Sequence, residues 1–290
     1  MTTTETPTIS RRATRTGLPQ LGHYLSEAYR YRTFALYWSK ADIKARNFET
    51  FLGRLWHFLN PLLFGLIYFV LVGILSGGGG EVSGAERLAF IVGNLYVWTF
   101  FAAIVTTGAG SVQGGAGGVL AQSAIPRVVL PFASALTAGN LFIRSLVAYV
   151  PIHLFAGRGL HWEMLWMPLL LVITGIFGFG LALLFAVANV YFRDVSRLLP
   201  HFMRLWLYMS PVIWVYTRAV DGGGLMETLA RLNPMFSGMT AWTIAFGGQV
   251  GTGGPTIVSS LLVFSGWAAA LLLIGFFTFI SREDEFAIRN

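Results

Sequence analysis

The stretch that decides the fold is NVYFRDVSRLLP, residues 189–200. An apolar run from Leu165 to Phe192 stops at Arg193-Asp194, and a second opens at Leu198 and continues to Tyr216. A helix needs roughly 20 apolar residues to cross the hydrocarbon core of a bilayer. The two runs therefore read as consecutive membrane helices, and the charged residues between them as a short turn in water.

Working outward from this turn, apolar runs of that kind recur at about 57–76, 88–110, 128–156, 165–191, 199–217 and 256–280. Composition agrees: 55% of the 290 residues are hydrophobic, only 11% are charged, and the mean hydropathy is +0.64. A soluble domain carries roughly 25% charged residues. The reading is an all-α polytopic membrane protein with six transmembrane helices. Pro61, Pro131, Pro151, Pro200 and Pro211 fall within or at the ends of these spans. Membrane helices tolerate them when neighbours satisfy the freed backbone groups. Residues 225–248, LMETLARLNPMFSGMTAWTIAFGG, are only partly apolar and are interrupted by Asn233-Pro234. They read as a re-entrant or interfacial external hairpin between spans five and six.

Cationic residues orient the chain, because cytoplasmic loops are enriched in them. Arg30, Arg32, Lys40, Lys44, Arg46, Arg54, Arg127, Arg193, Arg197, Arg204, Arg282 and Arg289 fall on one side of this topology. Only Arg87, Arg158, Arg218 and Arg231 fall on the other. Both termini are expected in the cytoplasm of a multi-pass protein of the plasma (inner) membrane. Residues 1–29 are expected to be a flexible cytoplasmic tail, 57–281 the six-span unit and 282–290 a second tail. Residues 1–30 are polar and do not resemble a cleavable signal peptide.

Residues 30–56 place Phe34, Trp38, Ala41, Ala45, Phe48, Leu52 and Leu55 at alternating steps of four and three. These share one helical stripe, with Lys40, Asp42, Lys44, Arg46, Glu49 and Arg54 around the rest. Such a basic amphipathic helix lies at a membrane interface. It serves either as a plain anchor or as a gate and docking surface. Lys44, Arg46 and Arg54 suit a phosphate, whether of a phospholipid or of a cargo diphosphate.

What the chain lacks is equally informative. It contains no cysteine, so thiolate chemistry is excluded. None of its acidic residues lies within a span, which argues against an ion-coupled carrier. No pair of carboxylates has catalytic spacing, and the five histidines form no ligand pattern. GAGSVQGGAGG (108–118) lacks the lysine of a phosphate-binding loop, and no lysine follows Lys44. The chain is therefore not expected to hydrolyse ATP or to bind a cofactor. Arg144 is the one charge deep in a span, placed either to bond a neighbouring helix's carbonyls or to meet an anionic cargo group.

Four motifs in order carry a resemblance: DIKARNFETFLGRLWHFLNPLLFGLIY (42–68), IPRVVLP (125–131), NVYFRDVSRLLPHFMRLWLYMSPVIW (189–214) and NPM (233–235). From about Tyr31 onward the chain resembles the membrane subunit of ATP-binding-cassette polysaccharide exporters, the type-2 permease class. That family moves lipid-linked O-antigens, teichoic acids and galactans. The resemblance implies a homodimer working with two copies of a separate ATPase subunit, which carries ATP and Mg. It also implies a polyprenyl-diphosphate-linked glycan as cargo, with a galactan or O-antigen-like polymer expected, and no nucleic-acid partner. The loops around Pro126 and Arg127 and around Arg193, Asp194 and Arg197 would then approach the ATPase. Arg193 and Asp194 would pin the second loop through local ion pairs and caps. The first loop, SVQGGAGGVLAQSAIPR (111–127), departs from the family, which is polar and charged there.

A glycan conduit needs aromatic faces to stack on sugar rings and few fixed charges to hold the chain back. Tyr68, Trp98, Phe101, Phe202, Trp206 and Tyr208 are the candidates, although interfacial and packing roles also select such residues. The alternatives are a type-2 permease for a drug or small lipid, and a stand-alone membrane glycosyltransferase or scramblase.

Overall fold

The structure is a computed structural model and describes residues 21–46, 53–75, 84–113, 125–214, 223–248, 250 and 254–286. Every regular element among them is helical. In chain order these are α1 (Leu21–Arg30), α2 (Arg32–Arg46), α3 (Trp56–Leu75), α4 (Gly84–Gly110), α5 (Val129–Phe155) and α6 (Met167–Tyr191). They continue with α7 (Val195–Met209), α8 (Gly224–Leu232), α9 (Pro234–Ala245) and α10 (Ile257–Arg282). Short 3₁₀ turns precede α3 and α6 and follow α10.

Among the described residues four helices are long and apolar enough to cross a membrane: α4, α5, α6 with its preceding turn from Trp162, and α10. Each has at least 26 residues, or roughly 39 Å at 1.5 Å per residue, which exceeds the hydrocarbon thickness. The first and fifth expected spans differ. In α3 the apolar stretch is the shorter Leu62–Leu71. α7 stops at Met209, because Ser210 is extended (φ −110, ψ 150) before Pro211. A residue that precedes proline is pushed out of the helical region. Its 15 residues span only about 22 Å. Residues 215–217 of the expected fifth span lie outside the described residues, as do Phe48 and Leu52 of the amphipathic stripe.

The amino-terminal region is also built differently from the expectation. Helix starts at Leu21, within the stretch read as tail, and breaks at Tyr31 before α2. The face of α2 that packs on α5 carries Ala35, Ser39 and Ile43, flanked by Phe34 and Trp38. Ala41 and Ala45 of the expected stripe are exposed. A hydroxyl pair, Thr137 Oγ1 to Ser39 Oγ at 3.1 Å, joins the two helices. A protein helix supplies its apolar surroundings, and that shifts the buried stripe.

The core centres on α4, which packs against α3, α5, α6 and α9. Its Asn94 is fully buried and exchanges hydrogen bonds with Thr243 of α9, at 3.0 and 3.2 Å. Pairing removes most of the cost of taking both side chains out of water. α9 is itself buried on nearly every side, and Trp242 Nε1 donates to Thr174 of α6 at 3.0 Å. Its start is local chemistry: the Asn233 side chain accepts from Met235 N, and Pro234 needs no partner at the first helical position.

α6 and α10 make the closest helix pair. A Cβ built on Gly275 would lie 2.2 Å from the Gly180 carbonyl oxygen, and one on Gly180 would lie 2.6 Å from the Leu271 carbonyl carbon. Only glycine permits this backbone contact, the small-residue packing familiar from membrane helices. These helices form one block with α4, α5 and α9, whereas α3 and α7 attach to it along one side only.

Candidate functional site

One side of the block carries an aromatic surface made by α3 and α7. Tyr68 and Tyr208 meet hydroxyl to hydroxyl at 3.1 Å, their rings edge-on at 6.1 Å. Phe202 and Tyr208 are 47% and 44% exposed, and Tyr68 and Trp206 are half-buried. Trp98 and Phe101, expected on the same wall, lie behind it at 3% and 0% exposure. They hold Trp206 edge-on, at 6.2 and 5.4 Å, and leave no ring face of their own to offer. The cause is the central position of α4, which turns both rings toward Phe177 and the core.

Trp206 is anchored at its polar end too. Its indole Nε1 donates to Asn233 Oδ1 at 2.8 Å, the oxygen that also caps α9. The Asn233 amide donates to Met209 O and Ser210 Oγ, each at 3.0 Å. Asn233 therefore closes the broken end of α7 onto the start of α9.

The outer face of α7 carries two stripes, one of exposed Leu198, Phe202, Leu205 and Met209 and one that is polar. Leu199, Met203 and Leu207 are buried at steps of four, while Arg197, His201, Arg204 and Tyr208 share an exposed stripe at steps of four and three. Cations on hydrocarbon are costly, so this stripe fits water or a polar ligand. Arg144 is exposed as well, on the outer face of α5 beside Ile143 and Val147. Among the described residues it bonds no neighbouring helix carbonyl.

The charged turn behaves differently from its expected design. Arg193, Asp194 and Arg197 are exposed, and among the described residues no ion pair joins them. The Asp194 side chain makes no cap; its carbonyl oxygen instead accepts from Arg197 N and Leu198 N at 3.0 and 2.9 Å. What pins the turn is Asn189, which is fully buried. Its Oδ1 accepts from Ser196 N at 3.1 Å, and its Nδ2 donates to Ala109 O at 3.2 Å. Gln113 donates to the Asn189 carbonyl. One buried amide thus joins the end of α4 to the start of α7.

The other loop meets the same end of the bundle. Residues 114–124 lie outside the described residues; Pro126 is buried, and the Arg127 amide donates to Glu283 Oε1 at 2.6 Å. Glu283 Oε2 accepts from Tyr24 of α1, also at 2.6 Å. Burial and the Glu283 carboxylate push the Tyr24 hydroxyl well above the usual phenol range, so it stays a donor. Tyr191 donates to Glu285, and Arg282 reaches Glu285 at 2.9 Å. Asn189, Glu283 and Glu285 were not anticipated. Their only sequence signal was a polar residue inside an apolar run and an acidic cluster just after one.

Of the basic candidates, Lys44 and Arg46 are exposed near the end of α2, and Arg46 pairs with Asp42 at 3.0 Å. The Arg54 side chain lies outside the described residues. At the opposite end of the bundle Arg158 donates to Phe246 O and Glu86 O at 3.2 and 3.3 Å, beside a cleft of about 320 Å³ that His161 and Glu163 also line.

Known proteins place this geometry. The chain is 28% identical over 263 residues to the O-antigen export system permease protein RfbA of Myxococcus xanthus, covering 90% of this chain and 96% of that one. Against a permease of the same name from Klebsiella pneumoniae it is 26% identical over 247 residues, covering 85% and 90%. Residues 35–247 match the family described as ABC-2 type transporter, a range that takes in the aromatic wall, the charged turn and the Asn233 junction. This chain belongs to the ABC-2 type transporter family.

Proposed function

We propose that this chain is the membrane subunit of an ATP-driven exporter that carries a polyprenyl-diphosphate-linked polysaccharide, galactan or O-antigen-like, across the plasma membrane. The observation that carries this reading is the α7 surface, where exposed Phe202 and Tyr208, with Tyr68 and Trp206, border a polar stripe on a helix otherwise surrounded by apolar neighbours. Ring faces hold sugars weakly and in any register, which suits a polymer that must slide. The names of the relatives, O-antigen export permeases, support the same cargo class. The chain is a transport subunit, not an enzyme. ATP and Mg belong to a separate ATPase subunit, present in two copies.

In this reading the chain has six spans, with α3 in the first and α7 in the fifth, both termini are cytoplasmic, and α8 with α9 is the re-entrant external hairpin. Two copies of the chain enclose the path with their α3 and α7 surfaces facing each other. Lys44, Arg46 and Arg54 attract the diphosphate at the cytoplasmic mouth. The turns at Pro126-Arg127 and at Arg193, Asp194 and Arg197 receive the motion of the ATPase.

Depletion of the chain tests the cargo. Lipid-linked glycan is expected to accumulate on the cytoplasmic face while its synthesis continues, measured by comparing glycan in intact cells, labelled with a membrane-impermeant reagent, with total glycan. Normal arrival of glycan at the outer face would instead favour a permease for a small lipid.

Asp194→Arg tests the coupling turn. Exposed and flanked by Arg193 and Arg197, the turn becomes strongly positive without loss of any side-chain hydrogen bond seen there. Membrane insertion should be unaffected, and export per ATP hydrolysed should fall by about tenfold, the effect of roughly 1.4 kcal/mol. Unchanged coupling would leave the turn as a mere connector.

A further inference from the structure

The two loops proposed to meet the ATPase are held by the same few residues at the end of α10. Glu283 uses one carboxylate oxygen for the Arg127 amide at the entry to α5 and the other for the Tyr24 hydroxyl of α1, both at 2.6 Å. Two residues further on, Glu285 accepts from Tyr191, the last residue of α6 and the neighbour of the charged turn. Arg282 completes the set, reaching Tyr191 Oη at 3.4 Å and Glu285 at 2.9 Å. Beneath these bonds Phe286 is fully buried against Phe279, at 5.1 Å between ring centroids. It belongs to a cluster with Tyr24, Ala35, Val112, Val128 and Val190. Asn189 ties the end of α4, where the first loop leaves it, to the charged turn.

We propose that the Glu283–Glu285 turn is a positioning brace: it clamps the 125–128 segment, the 192–196 turn and α1 into one body, so that a push on either loop moves both. This rests on the coupling role proposed above for those loops. The physical case is the type of bond. Charge-assisted hydrogen bonds from a backbone amide and a buried hydroxyl are short, directional and roughly twice as strong as neutral ones. They cross between helices that are otherwise in contact chiefly through apolar side chains, which can slide. Removing the carboxylate therefore frees relative movement of the loops without removing the surfaces that a partner touches.

The test uses the full-length chain with its ATPase subunit reconstituted in nanodiscs for hydrolysis, and the same variants in cells for export. Glu283→Ala is expected to keep co-purification of the ATPase subunit, and hydrolysis within about twofold, while surface glycan per permease falls about tenfold. Glu283→Gln should restore most of the export. Its amide oxygen can accept from Arg127 while its NH₂ group donates to the Tyr24 oxygen. A role in folding alone would not be rescued in this way, and would lower hydrolysis and export together. Tyr24→Phe, which removes one hydroxyl and no carbon, gives a milder second reading with an expected loss of about threefold. Combined with Asp194→Arg, Glu283→Ala should add little, because both act on one path. Unchanged export in Glu283→Ala, or a parallel fall in hydrolysis and export, overturns the brace. A simple defect in the cargo reading would leave the hydrolysis measurements interpretable, because they do not depend on which molecule is exported.

Discussion

Gly275→Val is expected to leave almost no permease that can be extracted as a monodisperse species. The Cβ alone would lie 2.2 Å from the Gly180 carbonyl oxygen, and that oxygen is backbone, so no side-chain rotation relieves the clash. α6 and α10 would have to separate along the most intimate contact in the bundle, exposing Phe177 and Phe264, which pack at 5.2 Å and are both fully buried. Overpacking of this kind costs about 4 kcal/mol or more where backbone must move, enough to consume much of a typical stability. Gly266→Ala on the same helix is the control, since nothing lies within 4 Å of a Cβ there. The control should elute and melt as the parent does. Measured by size-exclusion profile and thermal midpoint, a normal Gly275→Val protein would show that the two helices do not meet by backbone.

Trp206→Ala should have the second largest effect, and on two readouts at once. The indole packs edge-on or tilted against Trp98, Phe101, Phe177 and Phe202, and its N–H fills a place on Asn233 that water cannot reach equally well. Truncation of large aromatic side chains in cores costs about 3–5 kcal/mol, and a half-buried ring belongs below the middle of that range. Export normalised to permease amount is expected to drop more than about tenfold, because Phe202 loses the ring that holds it in place. Trp206→Phe keeps one aromatic ring and loses the indole N–H with the other half of the bicycle. It should recover most of the export but little of the tie to α9. Tyr68→Ala provides the contrast: one exposed hydroxyl contact with Tyr208 is lost, so export should fall with only a small change in thermal midpoint. If the phenylalanine variant exports no better than the alanine variant, the Asn233 bond rather than the ring surface governs transport.

The membrane-spanning order of this fold was legible because it is a local property. Apolar runs at 88–110, 128–156, 165–191 and 256–280 became α4, α5, α6 and α10 with ends displaced by a few residues. The charged turn between α6 and α7 was legible for the same reason. Which side of a helix faces what is not local. Trp98 and Phe101 have the same composition signal as Trp206, yet the position of α4 between its neighbours buries two of the three. The Ser210-Pro211 step does carry a signal for the end of α7, but hydropathy continues across it and conceals the break. Asn94 with Thr243, and Glu283 with Tyr24 and Arg127, bring together residues far apart in the chain, which no periodicity records. The arginines marked where the turn lies, whereas the group that shapes it, Asn189, sat within an apolar run.

The glycine contact between α6 and α10 also sets an order of events during biosynthesis. α10 leaves the ribosome after the other helices, and until it inserts, Gly180 faces lipid with no backbone against it. The loop entering α5 and the hydroxyl of Tyr24 wait likewise for a carboxylate that is translated after α10. Gly180 of α6, the entry to α5 and α1 thus stay without these partners until α10 and the turn after it are made. A chain broken off before Ile257 would present an unfilled groove along α6 to the membrane's quality-control proteases, and a chain that includes α10 would not.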